Sequence, residues 1–396
     1  MSEWRKVKFL DLFALPSRNG LTKPSRVRGS GYKMINMGEL FSNGRIYDIP
    51  MELVPLNDKE KEVAKVERYD LLFARQSLVL EGAGKCSIVM DVSDLTTFES
   101  HLIRVRLDYN IANPLFYYYY FSSSLSPIRS IVSQCAQAGI KGSDLVQIMV
   151  DFPPLHIQHR IATILSSYDS LIENYQKQIK LLEESAQRLY KEWFVDLRFP
   201  GHENVQIVDG VPEGWEKKTL SDIATIIMGQ SPKSEFYNSV RNGLPFHQGV
   251  GSYGFRFVVD NIYSTSFTRI AESNSILFSV RAPVGRLNIT KNKIVIGRGL
   301  AAINHKKGHQ SFLYYLLKEK FFKDNIIGNG AIFASISKDE LYNQIFVIPS
   351  DEMVMRYDTI ANKIDKDIQY IDSQIYFLTE GRDRLLPKLM SGEIEL

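Results

Sequence analysis

The stretch "GIKGSDLVQIMVDFPP" (139–154) recurs in altered form as "SISKDELYNQIFVIPS" (335–350). The aligned residues lie 196 positions apart, as the following pairs show: Ile140 and Ile336, Leu145 and Leu341, Pro153 and Pro349. Similarity of a chain to itself at a fixed offset indicates an internal repeat. We therefore predict two copies of one structural unit.

The first copy ends in Asp-Phe-Pro-Pro, which differs by one residue from the Asp-Pro-Pro-aromatic loop of amino-methyltransferases. In the second copy, Val347 and Ser350 stand where the Asp and the second Pro would be. Proline is tolerated in the first turn of a helix and restricts the residue before it to extended geometry. The pattern therefore favours a strand-to-helix junction over a catalytic loop.

A long helical pattern follows each copy. Apolar residues recur every three or four positions, and over this length such a stripe indicates a coiled-coil-like seam. The predicted seam residues are Ile161, Ile164, Tyr168, Leu171, Tyr175, Leu182 and Leu189 in the first helix, and Tyr357, Ile360, Ile364, Ile368, Ile371, Ile375, Leu378 and Leu385 in the second. The alternative is a long helix lying on a globular core, and the two matched copies favour the seam.

The segments between the helical patterns repeat more faintly. For example, "EWRKVKFLDLF" (3–13) resembles "GWEKKTLSDIA" (214–224), and "FYYYY" (116–120) resembles "FLYYL" (312–316). The predicted order is thus block, helix, block, helix, with boundaries at 1–150, 151–205, 206–345 and 346–396. If the seams pack together, the second helix runs back along the first. We predict an α+β fold with two α/β blocks, two long antiparallel helices and an approximate two-fold axis.

The charge alternates with the predicted segments. The first block carries 19 Lys and Arg against 16 Asp and Glu, and the second block carries 17 against 11. The two helical segments are acidic, with 6 against 8 and 6 against 10. Basic blocks suit a polyanionic partner, whereas the acidic helices are expected to contact protein.

Several classes of protein are disfavoured by composition. No run of residues reaches the length of about 20 apolar residues that a membrane span needs, and the first residues lack a secretory apolar core, so we expect a cytoplasmic protein. Cys86 and Cys135 form no Cys-x-x-Cys motif, and His156 and His159 lack a third ligand. We therefore predict neither a disulfide framework nor a metal site.

Three further stretches resemble a known family, the specificity (S) subunits of type I restriction–modification systems. They are "SYDSLIENYQKQIKLLEESAQRLYKEWFVDLRFPGHE" (167–203), similar to the central spacer, "GVPEGWEKKTLSDIA" (210–224), similar to the entry of the second target-recognition domain, and "RLLPKLMSGEIEL" (384–396), similar to the C-terminal signature. The resemblance covers essentially the whole chain, including its duplicated order.

This resemblance implies a non-catalytic reader of double-stranded DNA that serves host defence. In the family, each recognition domain reads one half of a bipartite target, and the helices set the gap and dock two methyltransferase (M) subunits. Restriction and translocase (R) subunits then join. S-adenosylmethionine, ATP and Mg are expected on those partners, and no cofactor is expected on this chain. Because the two blocks differ in their loops, the target should have two unlike halves.

Candidate DNA-contacting residues are polar or basic side chains in loops, since phosphate contacts position a protein and base contacts specify sequence. Two glycine-rich loops supply Lys23, Arg26, Arg28, Tyr32, Lys33, Asn36, Asn43 and Arg45 in block 1, and Lys233, Tyr237, Asn242, Gln248, Tyr253 and Arg256 in block 2. The residues after an apolar strand supply Arg75, Gln76, Lys85, Arg281, Arg286 and Arg298. The loop before each helix supplies Gln134, Lys141, Asn329 and Lys338. For the block 1 loop (19–45), an ordinary solvated loop is the alternative.

Two other functions compete with DNA reading. An adenine methyltransferase or fused restriction enzyme would need a complete S-adenosylmethionine motif and a complete catalytic loop, and the sequence contains no such pair. An interaction scaffold would use the blocks to bind protein. The nucleotide-like motif "GVGSYG" (249–254) precedes a strand-like pattern rather than a helix, and "GAGKCS" (82–87) lacks the glycine and hydroxyl of a phosphate loop.

Overall fold

The computed structural model describes residues 4–92, 94–134, 138–208, 210–321 and 335–396. It contains two compact units. Unit 1 comprises Met1–Tyr175 and Gln374–Leu396, and unit 2 comprises Gln176–Ser373. Each unit therefore holds one of the predicted blocks together with part of each long helix.

Unit 1 is an α/β domain. Its strands are β1 (Lys6–Lys8), β2 (Phe13–Asn19), β3 (Tyr32–Ile35), β4 (Arg45–Ile46), β5 (Glu52–Val54), β6 (Leu71–Ala74), β7 (Gln76–Ser77), β8 (Cys86–Val89), β9 (Thr96–Phe98), β10 (Leu102–Leu107), β11 (Ser133–Gln134), β12 (Ala138–Gly139) and β13 (Met149–Asp151). Its helices are α1 (Met37–Ser42), α2 (Asp58–Val63), α3 (Pro114–Ser122), α4 (Gly142–Leu145) and α5 (Leu155–Phe194), which continues into unit 2. The strand orders are β2-β10-β6-β8-β4, β5-β3-β9, β11-β12-β7 and β1-β13.

Unit 2 has a similar composition of elements. Its strands are β14 (Ile207–Val208), β15 (Val211–Pro212), β16 (Glu216–Thr219), β17 (Ala224–Met228), β18 (Tyr237–Asn238), β19 (Leu244–His247), β20 (Tyr263–Ser264), β21 (Ile270–Ala271), β22 (Ile276–Ser279), β23 (Leu287–Ile289), β24 (Ile294–Ile296), β25 (Leu300–His305) and β26 (Ile345–Ile348). Its helices are α6 (Leu220–Ile223), α7 (Gln310–Phe321), α8 (Lys338–Tyr342) and α9 (Asp351–Met390), which continues into unit 1. The strand orders are β17-β25-β22-β23, β18-β20-β19-β24-β21, β16-β26 and β14-β15.

The two units repeat one topology. The antiparallel pair β1–β13 of unit 1 corresponds to β16–β26 of unit 2. The run β2-β10-β6-β8 corresponds to β17-β25-β22-β23, and the parallel pair β3–β9 corresponds to β19–β24. The predicted α+β fold, with two related α/β domains and two long helices, is confirmed.

A glycine marks the same close backbone approach in both copies. A Cβ on Gly20 would lie 2.1 Å from the carbonyl oxygen of Phe98, and one on Gly229 would lie 2.1 Å from that of Gly297. Only glycine fits where two backbones come this close. The N–H of Gly20 donates to Leu102, and the N–H of Gly229 donates to Leu300, so the equivalence extends to the hydrogen bonds.

The aromatic repeats "FYYYY" and "FLYYL" lie in α3 and α7, where they build each core. In unit 1 the rings of Phe9 and Phe121 meet edge to face, with centroids 4.8 Å apart. In unit 2 Phe312 and Tyr315 are fully buried. Such aromatic pairs add specific geometry to the large apolar area that they bury.

Each long helix begins directly after a strand, as the proline pattern predicts. Strand β13 ends at Asp151 and α5 begins at Leu155, while β26 ends at Ile348 and α9 begins at Asp351. At the first junction, the side-chain amide of Gln158 donates to the carbonyl oxygen of Pro153 at 2.8 Å. The Asp-Phe-Pro-Pro stretch is therefore a structural junction.

Within each unit, the beginning of one long helix packs against the end of the other. In unit 1 the guanidinium of Arg382, near the end of α9, donates to Asp169 in the first half of α5 at 2.6 Å. In unit 2 the hydroxyl of Tyr357, near the start of α9, donates to the carbonyl oxygen of Ala186 at 3.0 Å. The helix segments are thus antiparallel in both units.

The predicted seam on α5 is correct only in part. Ile161 is buried as predicted, most of the other predicted positions are half-buried, and Leu171 is 46% exposed. The buried residues of this helix also include Leu165, Asp169, Ile172, Ile179, Glu183, Ala186 and Tyr190. On α9 the predicted Tyr357 and Ile368 are buried, but Ile360 is exposed. Charged residues occupy part of the buried face, because Asp169 pairs with Arg382 of α9 and Glu183 pairs with Arg256 of the domain.

In the ranges 4–92, 94–134, 138–208, 210–321 and 335–396, no helix is long and apolar enough to span a bilayer. Nor do they contain a group of three or more His, Cys, Asp or Glu side chains placed to hold a metal ion. Cys86 is a free, buried thiol, and burial raises its pKa, while Cys135 lies outside the described residues. The cytoplasmic location stays a prediction.

Candidate nucleic-acid interface

The glycine-rich loop of unit 1 is held in place by its own ion pairs. Lys23 donates to Glu60 at 2.8 Å, and Arg28 pairs with Glu52 at 2.5 Å. Lys33 pairs with Asp48, and the hydrogen bond between them raises the pKa of Lys33. These three predicted DNA residues therefore stabilise the loop. Each would have to contact a DNA phosphate while it is also paired with a carboxylate.

Two amides of this loop fix the ends of helix α1. Asn36 precedes the helix, and its N–H donates to Glu39 at 2.8 Å in a capping box. Asn43 follows the helix, and its side-chain amide donates to the carbonyl oxygen of Glu39 at 2.9 Å. Tyr32 is half-buried beneath the ammonium group of Lys61. Arg26 is exposed and makes no hydrogen bond or ion pair with any described residue, so it is the freest cation of this loop.

Arg45 anchors the domain to the long helix, and this placement contradicts the predicted DNA contact. Its guanidinium lies 3.4 Å from Glu173 of α5, with the side chain almost fully buried. The hydroxyl of Tyr47 donates to the same carboxylate at 2.7 Å. Burial and this hydrogen bond raise the pKa of Tyr47 to about 12. A DNA phosphate could reach Arg45 only by displacing the helix.

In unit 2, three loop residues come together on the surface. The hydroxyl of Ser231 donates to the Oε1 of Gln248 at 2.7 Å and accepts the backbone N–H of Arg298 at 3.2 Å. The side chains of Gln248 and Arg298 are exposed. Gly297 and Gly299 allow the approach, since a Cβ on Gly299 would lie 2.5 Å from the carbonyl oxygen of Gln248. An exposed amide beside an exposed guanidinium can read a base edge and hold a phosphate, respectively.

Arg256 is the clearest correction among the predicted DNA residues. It is 1% exposed, and its guanidinium donates to Glu183 of α5 and to Asp365 of α9, each at 2.6 Å. The guanidinium carbon lies 3.6 Å from the ring centroid of Tyr314. Although burial alone would lower the pKa of Arg256, the surrounding phenols and carboxylates raise it overall. Arg256 is therefore a structural cation that binds the two long helices to the domain.

The other loop candidates of unit 2 fall into buried and exposed groups. The hydroxyl of Tyr253 is buried without a hydrogen-bond partner in the described structure, and burial raises its pKa, so the predicted DNA contact is contradicted here as well. Tyr237 stacks on Phe246 with centroids 4.6 Å apart and donates to the carbonyl oxygen of Pro232. Lys233 and Asn242 are exposed.

The candidate residues that follow the apolar strands differ in exposure. Lys85 donates to the carbonyl oxygen of Phe41 at 2.8 Å, and burial lowers its pKa, which ties it to the framework. Arg75 and Gln76 are half-buried, Arg281 is exposed, and the backbone N–H of Arg286 donates to Ser279 at 2.8 Å. Arg281 remains a candidate for a DNA contact.

The third candidate group lies beside short helices. Lys141 precedes α4 and Lys338 begins α8, and both side chains are exposed. Strand β11 ends at Gln134, whose side chain lies outside what the structure describes, as does the whole of Asn329.

A matched tyrosine–aspartate pair in each unit escaped the sequence analysis. The hydroxyl of Tyr119 donates to Asp169 at 2.6 Å, and that of Tyr315 donates to Asp365 at 3.0 Å. Both pairs obey the 196-residue offset of the repeat. Burial raises the pKa of both phenols, which therefore stay protonated as donors. Aligning the polar residues of the two copies, as well as the apolar ones, would have found them.

With this geometry in place, comparison with known proteins defines the class. The model for the type I restriction modification DNA specificity domain matches residues 1–184 and 212–370, so the chain belongs to this family. Members of this class are the non-catalytic specificity subunits of type I restriction–modification systems, which confirms the resemblance seen in the sequence.

Individual relatives are similar to this chain over its whole length. A putative type I restriction enzyme MjaX specificity subunit from Methanocaldococcus jannaschii is 28% identical over 100% of this chain and 94% of its own length. The type I restriction enzyme HindI specificity subunit from Haemophilus influenzae is 23% identical, and the match covers 100% of both chains. The crystal structure of the S subunit from M. genitalium covers 98% of this chain and 96% of its own, with a TM-score of 0.58 and 17% identity, and shows that the fold is shared.

Proposed function

We propose that this specificity subunit reads a split, asymmetric DNA target, with one half contacted by each recognition domain. The proposed domains are residues 1–150 and 206–345, joined by the helical segments 151–205 and 346–396. The observation that carries the proposal is that the two units share one topology but differ in the residues that their equivalent loops expose. Asn36 and Gln248 directly follow the equivalent strands β3 and β19. Asn36 caps a helix, whereas Gln248 is exposed beside Arg298.

The proposed DNA contacts are the exposed candidates that the intramolecular network leaves accessible. In unit 1 these are Arg26 and Lys141, and in unit 2 they are Lys233, Asn242, Gln248, Arg281, Arg298 and Lys338. Arg45, Tyr253 and Arg256 are withdrawn because their polar groups are buried or already engaged. The basic character of both blocks supports a polyanionic partner.

The DNA function predicts a steep dependence of binding on salt. The subunit assembled with its methyltransferase partners should lose about 10³–10⁵ in DNA affinity between 50 and 200 mM salt if it makes six to ten phosphate contacts. Titration of a labelled duplex at a series of NaCl concentrations measures this slope. Binding that does not change with salt would favour the alternative of a protein-binding scaffold.

We further propose that the long helices dock two methyltransferase subunits, which supply S-adenosylmethionine chemistry, and that restriction subunits with ATP and Mg join them. Exposed apolar side chains on the helices support a protein partner. In unit 1, Phe377 is 65% exposed, and in unit 2, Tyr370 is 67% exposed. Large exposed aromatic residues of this kind are typical of protein interfaces.

Replacing one of these aromatic residues should weaken assembly without unfolding the chain. We expect Phe377→Ser to reduce the affinity for the methyltransferase subunit by about 10-fold or more, as the loss of an interface anchor does. Pull-down titration with purified partner measures the effect. The control is Phe267→Ser, which alters an exposed aromatic residue in the loop between β20 and β21 and should leave assembly unchanged. Equal binding by Phe377→Ser and the wild type would exclude Phe377 from the interface.

A further inference from the structure

Two arginines face each other on the main sheet of unit 1. Strands β2 and β10 are antiparallel neighbours, and Arg18 and Arg104 are directly opposite each other in their register. Like charges at directly opposed positions of a sheet repel. This arrangement is therefore unfavourable unless an anion balances it.

The arginine pair is not part of the repeated framework. The matched glycine hydrogen bonds align β2 with β17 and β10 with β25. At the equivalent positions unit 2 pairs Ile227 with Ala302. Because an apolar pair serves the same fold in the second copy, the two arginines are a feature of unit 1 alone.

These arginines line a cavity of about 330 Å³, which we call the arginine-pair cavity. Four of its lining side chains are cationic, namely Arg18, Lys65, Arg104 and Arg106. The one carboxylate in this lining, Glu62, belongs to an exposed residue of α2. The volume is ample for a tetrahedral oxyanion with ordered water.

Two of the four cations already have counterions. Arg106 donates to Asp70 at 2.7 Å and pairs with Glu67 at 2.6 Å, and Lys65 pairs with Glu67 at 2.9 Å. By contrast, Arg18 and Arg104 form no ion pair with a carboxylate among the described residues. Among the cations of this cavity, the arginine pair is therefore the part without a carboxylate in direct contact.

Arg104 also has an unsatisfied donor. The residue is 6% exposed, and its Nη1 donates to the carbonyl oxygen of Lys65 at 2.8 Å, but its Nε has no hydrogen-bond partner in the described structure. Burial lowers the pKa of Arg104, Asp70 raises it, the guanidinium groups of Arg106 and Arg18 lower it, and Glu67 raises it. A buried N–H donor without a partner, beside a second guanidinium, is stabilised when an anion accepts its hydrogen bond.

We propose that the arginine-pair cavity binds one phosphate group. Guanidinium groups hold phosphate through paired, charge-assisted hydrogen bonds, and two of them converge here. The phosphate belongs either to a small phosphate compound or to the DNA backbone outside the base-reading loops. Only the second source rests on the proposed DNA function.

Inorganic phosphate tests the cavity itself. The full chain is unfolded thermally in sodium phosphate and in sodium chloride at equal ionic strength. We expect phosphate to raise the Tm by roughly 3 °C at saturating concentration in the wild type, and Arg18→Gln to abolish the difference. Arg18 is exposed, so this substitution preserves the core. Lys59→Gln, the matched control, removes an exposed charge of α2 that does not line the cavity and should keep the full shift.

DNA binding by the same variants, assembled with methyltransferase subunits, identifies the source of the phosphate. If it is the DNA backbone, Arg18→Gln should lower affinity for target and unrelated duplexes alike, by about 3- to 10-fold, and reduce the salt slope by about one. Unchanged DNA affinity with a lost phosphate shift would assign the cavity to a small phosphate compound. If Arg18→Gln matches Lys59→Gln in both assays, the proposal is overturned. If the wild type bound no DNA, the proposed function would be refuted. The thermal assay would still show whether the arginine-pair cavity binds phosphate.

Discussion

Arg256→Ala should destabilise unit 2 by about 3–5 kcal/mol, the cost of breaking a buried ion pair from one side. The substitution leaves Glu183 and Asp365 without the cation that each contacts at 2.6 Å. Lys318, 3.4 Å from Glu183, and the hydroxyl of Tyr315, 3.0 Å from Asp365, compensate only in part. The loss should therefore be large for a single residue in a loop.

Urea unfolding followed by tryptophan fluorescence measures this effect, since Trp193 and Trp215 both lie in unit 2. Arg256→Lys should recover only part of the stability because an ammonium group cannot bridge two carboxylates as a planar guanidinium does. Arg281→Ala removes an exposed arginine of the same unit and should change stability by less than about 0.5 kcal/mol. If Arg256→Ala were as mild as this control, the ion cluster would not bind the helices to the domain.

Lengthening both long helices should lengthen the gap in the DNA target. The division between the units falls after Tyr175 in α5 and after Ser373 in α9. Inserting four residues at each point adds one helical turn, a rise of about 6 Å, or roughly two base pairs of duplex. We expect the selected gap to grow by one to two base pairs while both half-sites stay the same.

The control for this experiment replaces four exposed residues at the same points without changing length, and it should leave the gap unchanged. Insertion into α5 alone is a second comparison, since it shifts the register between the helices and should impair assembly. A gap that stays constant after matched insertions would show that the helices do not set it.

The sequence predicted the repeated architecture well because apolar periodicity and proline placement are local signals. The repeat around Pro153 and Pro349 placed the start of both long helices, and the aromatic repeats placed α3 and α7. The buried face of α5 could be obtained only in part in this way. Its buried positions include Asp169 and Glu183, whose burial depends on partners more than 70 residues away in the chain.

The candidate site was harder to predict because its burial and pairing also depend on residues that are distant in the sequence. An arginine among glycines looks exposed in sequence, yet Arg256 is buried by contacts with Glu183 and Asp365. Conversely, Arg18 and Arg104 are 86 residues apart in the sequence, and only the register of β2 and β10 brings them together. Charge pairing through tertiary structure is invisible to periodicity and composition.

The central claim, that each recognition domain reads its own half of an asymmetric target, is tested most directly by selection from a random duplex library. The complex of this subunit with its methyltransferase partners is compared with the same complex carrying Gln248→Ala. The wild type should select two unlike half-sites separated by a fixed gap, and the variant should lose preference at one or two base pairs of one half only. A palindromic or continuous site, or relaxation of both halves by Gln248→Ala, would contradict the account.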